Sequence, residues 1–316
     1  MKVKSILTSS VKLPILVRNA IFVYAIRIIC IAFPFVFVGC SSEFKDPPFS
    51  SSSKESYPLN KSDSIAMVNI YRKIGPFGEK WDLKDITTWG GVEAALDLTS
   101  NEYRITGFFY NGDFFGDIPE EFRQLTELRK LGLVGGNLSG EIPAWIGELS
   151  HLEYLSIMDN KISGKIPSEV GKLVNLKYLN LSMNNLEGEL PESLGKLVNI
   201  VRLTITDTKI KGEIPNTLSK LKKAIVIDLD NNQLSGRFPI EILTNERLYV
   251  GCNNNNITEL PFEIWRDDFP GSIPDLQKNK LSGVIPDSIK SFKKWKTNKG
   301  FVGGQKEGYG YTNYNN

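Results

Sequence analysis

Apolar and polar positions alternate along this chain with a long period. Prolines stand at 119, 143, 167, 191, 215 and 239, a step of 24 residues taken five times, and Gly116, Gly140, Gly164, Gly188, Gly212 and Gly236 keep the same step. One unit carries Leu176, Leu179, Leu181, Asn184, Leu186, Gly188, Leu190 and Pro191; the next carries Ile200, Leu203, Ile205, Thr208, Ile210, Gly212, Ile214 and Pro215. Such a register predicts a solenoid: no single coil can bury its apolar side, and stacking gives a continuous core. Eight coils are expected. The first, Ile105 to Pro119, is one residue short and uses Phe108, Phe109, Phe114 and Phe115. The seventh, Val250 to Pro261, is shorter and has Cys252 in an inward leucine slot, which makes it a buried structural thiol. The eighth, around Leu276, Asn279, Leu281 and Pro286, begins irregularly.

Each repeated position has a physical role. Leu179 and Leu181 alternate, so both point inward from a short strand. Asn184 turns the chain, and its amide can satisfy backbone groups buried in the turn. Asn160, Asn232, Asn255 and Asn279 extend this into a ladder; Gly136 and Thr208 interrupt it, so those two turns should be looser. The proline fixes φ where the chain turns to the opposite side, and Leu194 and Leu197 bury the return segment. The pattern, with its Gly-x-Ile-Pro segment, resembles the 24-residue leucine-rich repeat best known from plant receptors, over residues 104–296. That resemblance implies an α/β solenoid, a horseshoe with a parallel sheet on the concave face and helical or 3-10 turns on the convex side. It also implies that ligands bind on the concave face.

Solenoid ends expose strand edges and core, so they need caps. Asp63 to Ile74 reads as a helix with Ile65, Val68 and Tyr71 on one face, Ser62 or Asp63 as its cap, and Pro76 beyond its end. The run Thr87-Thr88-Trp89-Gly90-Gly91-Val92-Glu93-Ala94 resembles the plant-type N-terminal cap. Thr87 and Ala94 replace the two cysteines that flank it there, so the family's cap disulfide is absent, and Trp81 and Trp89 must close the end by packing. At the far end Ile289, Phe292 and Trp295 read as a truncated coil. For the Gly, Tyr and Asn-rich tail, 297–316, the sequence leaves open whether it folds back or stays loose.

The first 39 residues differ from the rest. Lys2, Lys4, Lys12, Arg18 and Arg27 stand among no acids, Ile28 to Val38 carries no charge, and Gly39-Cys40-Ser41 follows. A basic region, an apolar run and a small residue before a cleavage point predict an export signal. Eleven helical residues rise only about 16 Å, roughly half the hydrocarbon thickness, which disfavours a span; the alternative is an uncleaved N-terminal anchor that starts near Ile21 and tolerates Arg27. Phe37-Val38-Gly39-Cys40 resembles the bacterial lipobox, which implies that residues 1–39 are removed and that Cys40 is lipidated, placing the protein in the bacterial cell envelope, at the outer membrane or cell surface. Residues 40–61 are rich in Ser and Pro and read as a tether reaching roughly 25 Å. The domain order is then signal (1–39), tether (40–61), N-terminal cap (62–103), repeats (104–296) and tail (297–316).

Charge and composition narrow the function. The chain has 38 basic and 36 acidic residues, a net +2, which argues against nucleic acid bound through bulk charge. One histidine and three cysteines give no stock for a His- or Cys-rich metal site, and no cofactor is expected. The single histidine, His151, reads as a surface residue without a catalytic partner. No kinase-like segment follows the repeats. The outward columns of the strands then become the candidate site: Tyr154, Met158, Tyr178 and Met183 on coils three and four, with Arg202 at the edge, and Asp207, Asp228 and Asp230 beyond. Exposed Tyr and Met suit protein recognition. Asp228 and Asp230 share a face and admit two further uses, acid/base work on a glycoside or a grip on a cation or basic partner. The leading expectation is a non-enzymatic surface module binding a protein, or a glycan. A glycan-active enzyme and a purely adhesive protein are the alternatives.

Overall fold

A computed structural model describes residues 58–74, 89–112, 114–244 and 247–314. The signal segment, Cys40, the tether up to residue 57, Pro76, Trp81 and Thr87 lie outside the described residues. No helix among the described residues is long and apolar enough to cross a membrane.

Inward leucines at every first and second slot set the architecture. Leu131, Leu155, Leu179, Leu203, Ile227 and Val250 fill the first slot and Leu133, Ile157, Leu181, Ile205, Leu229 and Cys252 the second, all of them buried. Their strands are β3 (Lys130–Val134), β4 (Tyr154–Ser156), β5 (Tyr178–Asn180), β6 (Arg202–Thr204), β7 (Val226–Asp228) and β8 (Tyr249–Gly251). These strands pair in parallel and in strict register, each residue facing its counterpart one coil on. A hairpin starts the sheet: β1 (Val92–Asp97) pairs antiparallel with β2 (Glu102–Asn111), which passes the parallel register to β3. After the prolines at 119, 143, 167, 191, 215, 239 and 261 comes a 3-10 helix, as at Ser168–Lys172 and Glu192–Lys196, carrying Val170, Leu173, Leu194 and Leu197 into the core; after Pro286 the helix is a short α-helix, Asp287–Ser291. The fold is a leucine-rich repeat α/β solenoid.

The asparagine ladder bonds as its spacing predicts. Asn184 donates from Nδ2 to the carbonyls of Ile157 (2.6 Å), Leu181 (3.1 Å) and Ser182 (3.1 Å), and its Oδ1 accepts the Ile162 N–H (3.1 Å). Asn232, Asn255 and Asn279 repeat the pattern of donors. The structure fills both gaps in the ladder. The Phe114 ring lies over Gly136, where a Cβ would come within 2.5 Å of it, and the Thr208 hydroxyl donates to Asn232 Oδ1.

Several details depart from the sequence expectations. A second, five-stranded sheet runs behind the first, through Ser163–Gly164, Asn185–Glu189, Lys209–Gly212, Gln233–Arg237 and Asn256–Glu259. Helix α1 spans Lys61–Ile74, but Asn60 caps it, its Oδ1 accepting the N–H groups of Ser62 and Asp63. Its inward face is Asp63, Ala66, Met67 and Ile70, while Ile65 is exposed. The face is rotated because Asp63 is drawn in as a keystone: its carboxylate accepts from Arg104 Nε (3.0 Å) and from the Ile105 N–H (2.8 Å). In the first coil Phe108 and Phe114 are core, whereas Phe115 is exposed and Phe109 faces outward, opposite Gly132.

The tail forms a further, irregular coil. Gln305 occupies the ladder position, donating to the carbonyls of Leu276, Val302 and Gly303 and accepting the Leu281 N–H. Gly310–Tyr311 pairs in parallel with Ser282–Gly283. Trp295 stacks edge-on between Trp265 (4.9 Å) and Tyr314 (5.9 Å), closing the core. Burial pushes the Tyr311 phenol up to about 12.

Candidate binding face

Three columns of outward side chains run across the sheet. The first holds Lys130, Tyr154, Tyr178, Arg202, Val226 and Tyr249, in register from coil to coil. The second, between the two inward slots, holds Phe109, Gly132, Ser156, Asn180, Thr204, Asp228 and Gly251. The third follows the second inward slot with Val134, Met158, Ser182, Thr206, Asp230 and Asn253.

At the N-terminal half these columns build an aromatic platform. Tyr154 lies 6.1 Å from Tyr178 and 5.5 Å from Phe109, ring centre to ring centre. Gly132 makes room for this: a Cβ there would sit 2.5 Å from the Phe109 ring. Met158 borders the platform, its sulfur accepting from Asn180 Nδ2 at 3.2 Å. Lys130, paired with Glu93 at 3.0 Å, closes one end, and Arg202 follows Tyr178 at the other. Met183 is set apart. It sits past the strand in a turn with φ of 57°, in line with Asp159, Asp207, Asn231, Asn254 and Lys278, which share that left-handed conformation. Phe109 was missed in the sequence because a fourth aromatic in a Phe-rich coil reads as core; the neighbouring Gly132 was the available signal.

The acidic residues fall at the C-terminal half in two settings. Asp228 and Asp230 lean together over Gly251, where a Cβ would lie 2.9 Å from an oxygen of each and 3.0 Å from the Tyr249 hydroxyl. Asp230 is only 1% exposed; its Oδ1 accepts the Asn253 N–H (2.7 Å) and its Oδ2 accepts from Asn253 Nδ2 (3.2 Å). Asp228 accepts the Asp230 N–H at 3.2 Å. Asp207 lies in the turn column, where its Oδ1 accepts from Asn231 Nδ2 (2.8 Å), and Asn231 accepts in turn from Asn254 (3.1 Å). Beneath them burial, then the charges of Asp230, Asp228 and Asp275, hold the Cys252 thiol well above its ordinary value. His151 is exposed, its Nδ1 lying 3.4 Å from Glu127. Among the described residues no group of three or more His, Cys, Asp or Glu side chains is arranged to hold a metal.

Comparison with known proteins agrees with this architecture. The leucine rich repeat family profile matches residues 126–186. The plant peptide hormone receptor RGFR1, solved in complex with RGF2, is 30% identical with a TM-score of 0.51, over 58% of this chain and 29% of the receptor. A plant ice-binding protein is 25% identical with a TM-score of 0.58, over 74% of this chain and 84% of that protein. The ectodomain of the Arabidopsis receptor kinase HAESA, in complex with an IDA peptide hormone ligand, shares the fold at 24% identity and a TM-score of 0.56, over 72% of this chain and 43% of its own. No curated protein sequence matches the chain. The chain thus spans less than a third of the RGFR1 chain but most of the ice-binding protein. Fold and comparisons together define a leucine-rich repeat solenoid, with the outward columns of its main sheet as the candidate face.

Proposed function

We propose that this protein is a non-enzymatic recognition module of the bacterial cell envelope, tethered through a lipidated Cys40, that holds an extended segment of a protein ligand across its concave face. The observation that carries this reading is the platform of Phe109, Tyr154 and Tyr178, three rings in van der Waals succession on a sheet face. Rings of this kind offer large contact area at low ordering cost. The solved receptors that share the fold and hold peptide hormones support the choice of a peptide-like ligand. Asp228 supplies charge further along the face, which orders the ligand by its basic groups. Acid/base work on a glycoside fits less well, because both oxygens of Asp230 are engaged by Asn253. A glycan on the same rings remains the alternative ligand. An ice surface is a second reading, motivated by the likeness along 84% of the ice-binding protein. The columns here mix Tyr, Met, Asp and Lys instead of repeating one small side chain, and an ice-recrystallisation assay separates the two.

The test is a peptide-display selection against the full chain, counter-selected with Tyr154→Ala/Tyr178→Ala. Recovery of a family of sequences bound by wild type and not by the double variant supports the reading. Binders that ignore the substitution refute it. For the anchor, intact mass of the envelope-borne protein should show residues 1–39 gone and acyl chains on Cys40; a mass that retains residues 1–39 refutes the lipoprotein reading.

A further inference from the structure

The edge of the solenoid where each 3-10 helix hands over to the next strand changes character along the stack. In coils two and three the matching segments, 124–129 and 148–153, carry Glu127, Glu148 and Glu153, with Arg129 and His151 set against the acids at 3.4 Å each. In the next three coils the corresponding segments are 172–177, 196–201 and 220–225. They contain Lys172, Lys177, Lys196, Lys220, Lys222 and Lys223 and no acid. Between the lysines stand aliphatic side chains that the fold leaves outside: Val174 is 48% exposed, Val198 48% and Ile225 53%. The polar amides of the edge are turned to the backbone. Asn175 donates to the Ser150 carbonyl and Asn199 to the Val174 carbonyl, each at 2.9 Å, and Lys223 donates to Asn199 Oδ1 at 2.6 Å. These bonds staple neighbouring coils and leave lysine and valine as what the edge offers to solvent. Lys177 is paired with Glu153 (2.6 Å) at the border of the acidic sector, while Lys172, Lys196 and Lys220 extend exposed from the ends of their 3-10 helices.

We propose that this edge docks the solenoid sideways onto an anionic membrane surface, with the lysines at the headgroups and Val174, Val198 and Ile225 against the acyl boundary. Charge complementarity selects the partner. A polyanion in water needs the lysines alone, whereas exposed aliphatics interleaved with basic residues match an interface that is anionic outside and apolar just beneath. The proposal rests on the reading that the chain is membrane-tethered. A flexible coil of the length of 40–61 would reach roughly 25 Å, so a lipid at Cys40 would keep the solenoid close enough for lateral contact. Docked on this edge, the concave face stands roughly upright to the membrane and stays open to a ligand.

The experiment mixes the full chain with vesicles of phosphatidylcholine alone or with added phosphatidylglycerol, and reads acylation of each lysine by mass spectrometry. With anionic vesicles Lys172, Lys196 and Lys220 should label roughly threefold more slowly or less, since each basic side chain at such a surface favours contact by roughly fivefold. Lys209 and Lys211 of the second sheet, and Lys161 two residues before its first strand, should label unchanged, and high salt should erase the protection. The exposed variant Lys172→Gln/Lys196→Gln/Lys220→Gln should lose the protection remaining at Lys222 without loss of thermal stability. Equal labelling on both vesicles, equal protection of the control lysines, or protection by a soluble sulfated polysaccharide but not by vesicles overturns the proposal. Flotation of the chain with neutral vesicles reports the anchor separately, so failure of the tether and failure of the docking edge are told apart.

Discussion

Replacing Asn184 by leucine probes the turn on which every coil depends. The side chain is buried and makes four hydrogen bonds, three from Nδ2 and one to Oδ1. Two of them reach back to the preceding coil, to the Ile157 carbonyl and the Ile162 N–H, so the amide fastens one coil to the next as well as closing its own turn. Leucine is close to asparagine in length, which keeps the packing change small. The loss is then chiefly the stranding of the Ile162 N–H and the Ile157 carbonyl, each about 1–3 kcal/mol when buried without a partner. A total of about 2–6 kcal/mol is expected. The neighbouring coil supplies the contrast. There Thr208 donates to Asn232 Oδ1, and the Ile210 N–H reaches the Thr208 hydroxyl at only 3.4 Å. Thr208→Asn frees Asn232 Oδ1 for the Ile210 N–H and should stabilise by up to about 1 kcal/mol. Urea melts followed by far-UV circular dichroism and by tryptophan fluorescence measure both, the two probes revealing any separate unravelling of an end. An unchanged urea midpoint for Asn184→Leu would refute the ladder as a source of stability.

Other consequences follow from close contacts and burial. Gly171 leaves no room for a side chain, since a Cβ would lie 2.4 Å from the Ser193 carbonyl oxygen of the next coil, so Gly171→Ala should cost about 1–3 kcal/mol in a thermal or urea melt. Asp63→Ala strands the Ile105 N–H and the partly buried Arg104, and should destabilise by about 3–5 kcal/mol, with the N-terminal cap losing hydrogen-exchange protection first. Tyr311 has a phenol pKa of about 12 in the folded chain against 10.0 for the ordinary group. The unfolded chain therefore releases this proton first, and about 2–3 kcal/mol of stability present below pH 10 drains away between pH 10 and 12. Tyr311→Phe should flatten that alkaline limb in urea melts monitored by tryptophan fluorescence.

Much of the fold was legible because the repeat writes each constraint several times. Proline, glycine and the paired leucines recur at one spacing, so strands, turns and 3-10 segments fall into place without any single strong local signal. Where a residue acts once, the sequence was mute. Asp63 looked like a cap because acids favour the first helical turn, and only the position of Arg104 in space shows it to be a keystone. Gln305 replaces an asparagine in a segment without leucine periodicity, so nothing in the pattern marks the last coil. The second sheet was hidden by its own regularity: Leu186 and Gly188 alternate as a strand does, yet they stand between the turn residue Asn184 and Pro191 in a segment too short to mark itself as a strand. On the candidate face, column counting places Tyr154, Tyr178 and Met158 side by side, as the structure does. It leaves out the middle column that holds Phe109, and it does not register the left-handed turn that lifts Met183 off the strand.

The central claim is that the ligand lies on the platform of the concave sheet. Titration of a selected ligand against Tyr154→Ala and Tyr178→Ala, with Lys165→Ala and Glu189→Ala as the opposing pair, tests it most directly. The account predicts that each tyrosine variant weakens binding by about 2 kcal/mol or more with an unchanged melting temperature, while the opposing pair binds as wild type does. Full affinity in both tyrosine variants, together with loss of binding in Lys165→Ala or Glu189→Ala, would contradict it.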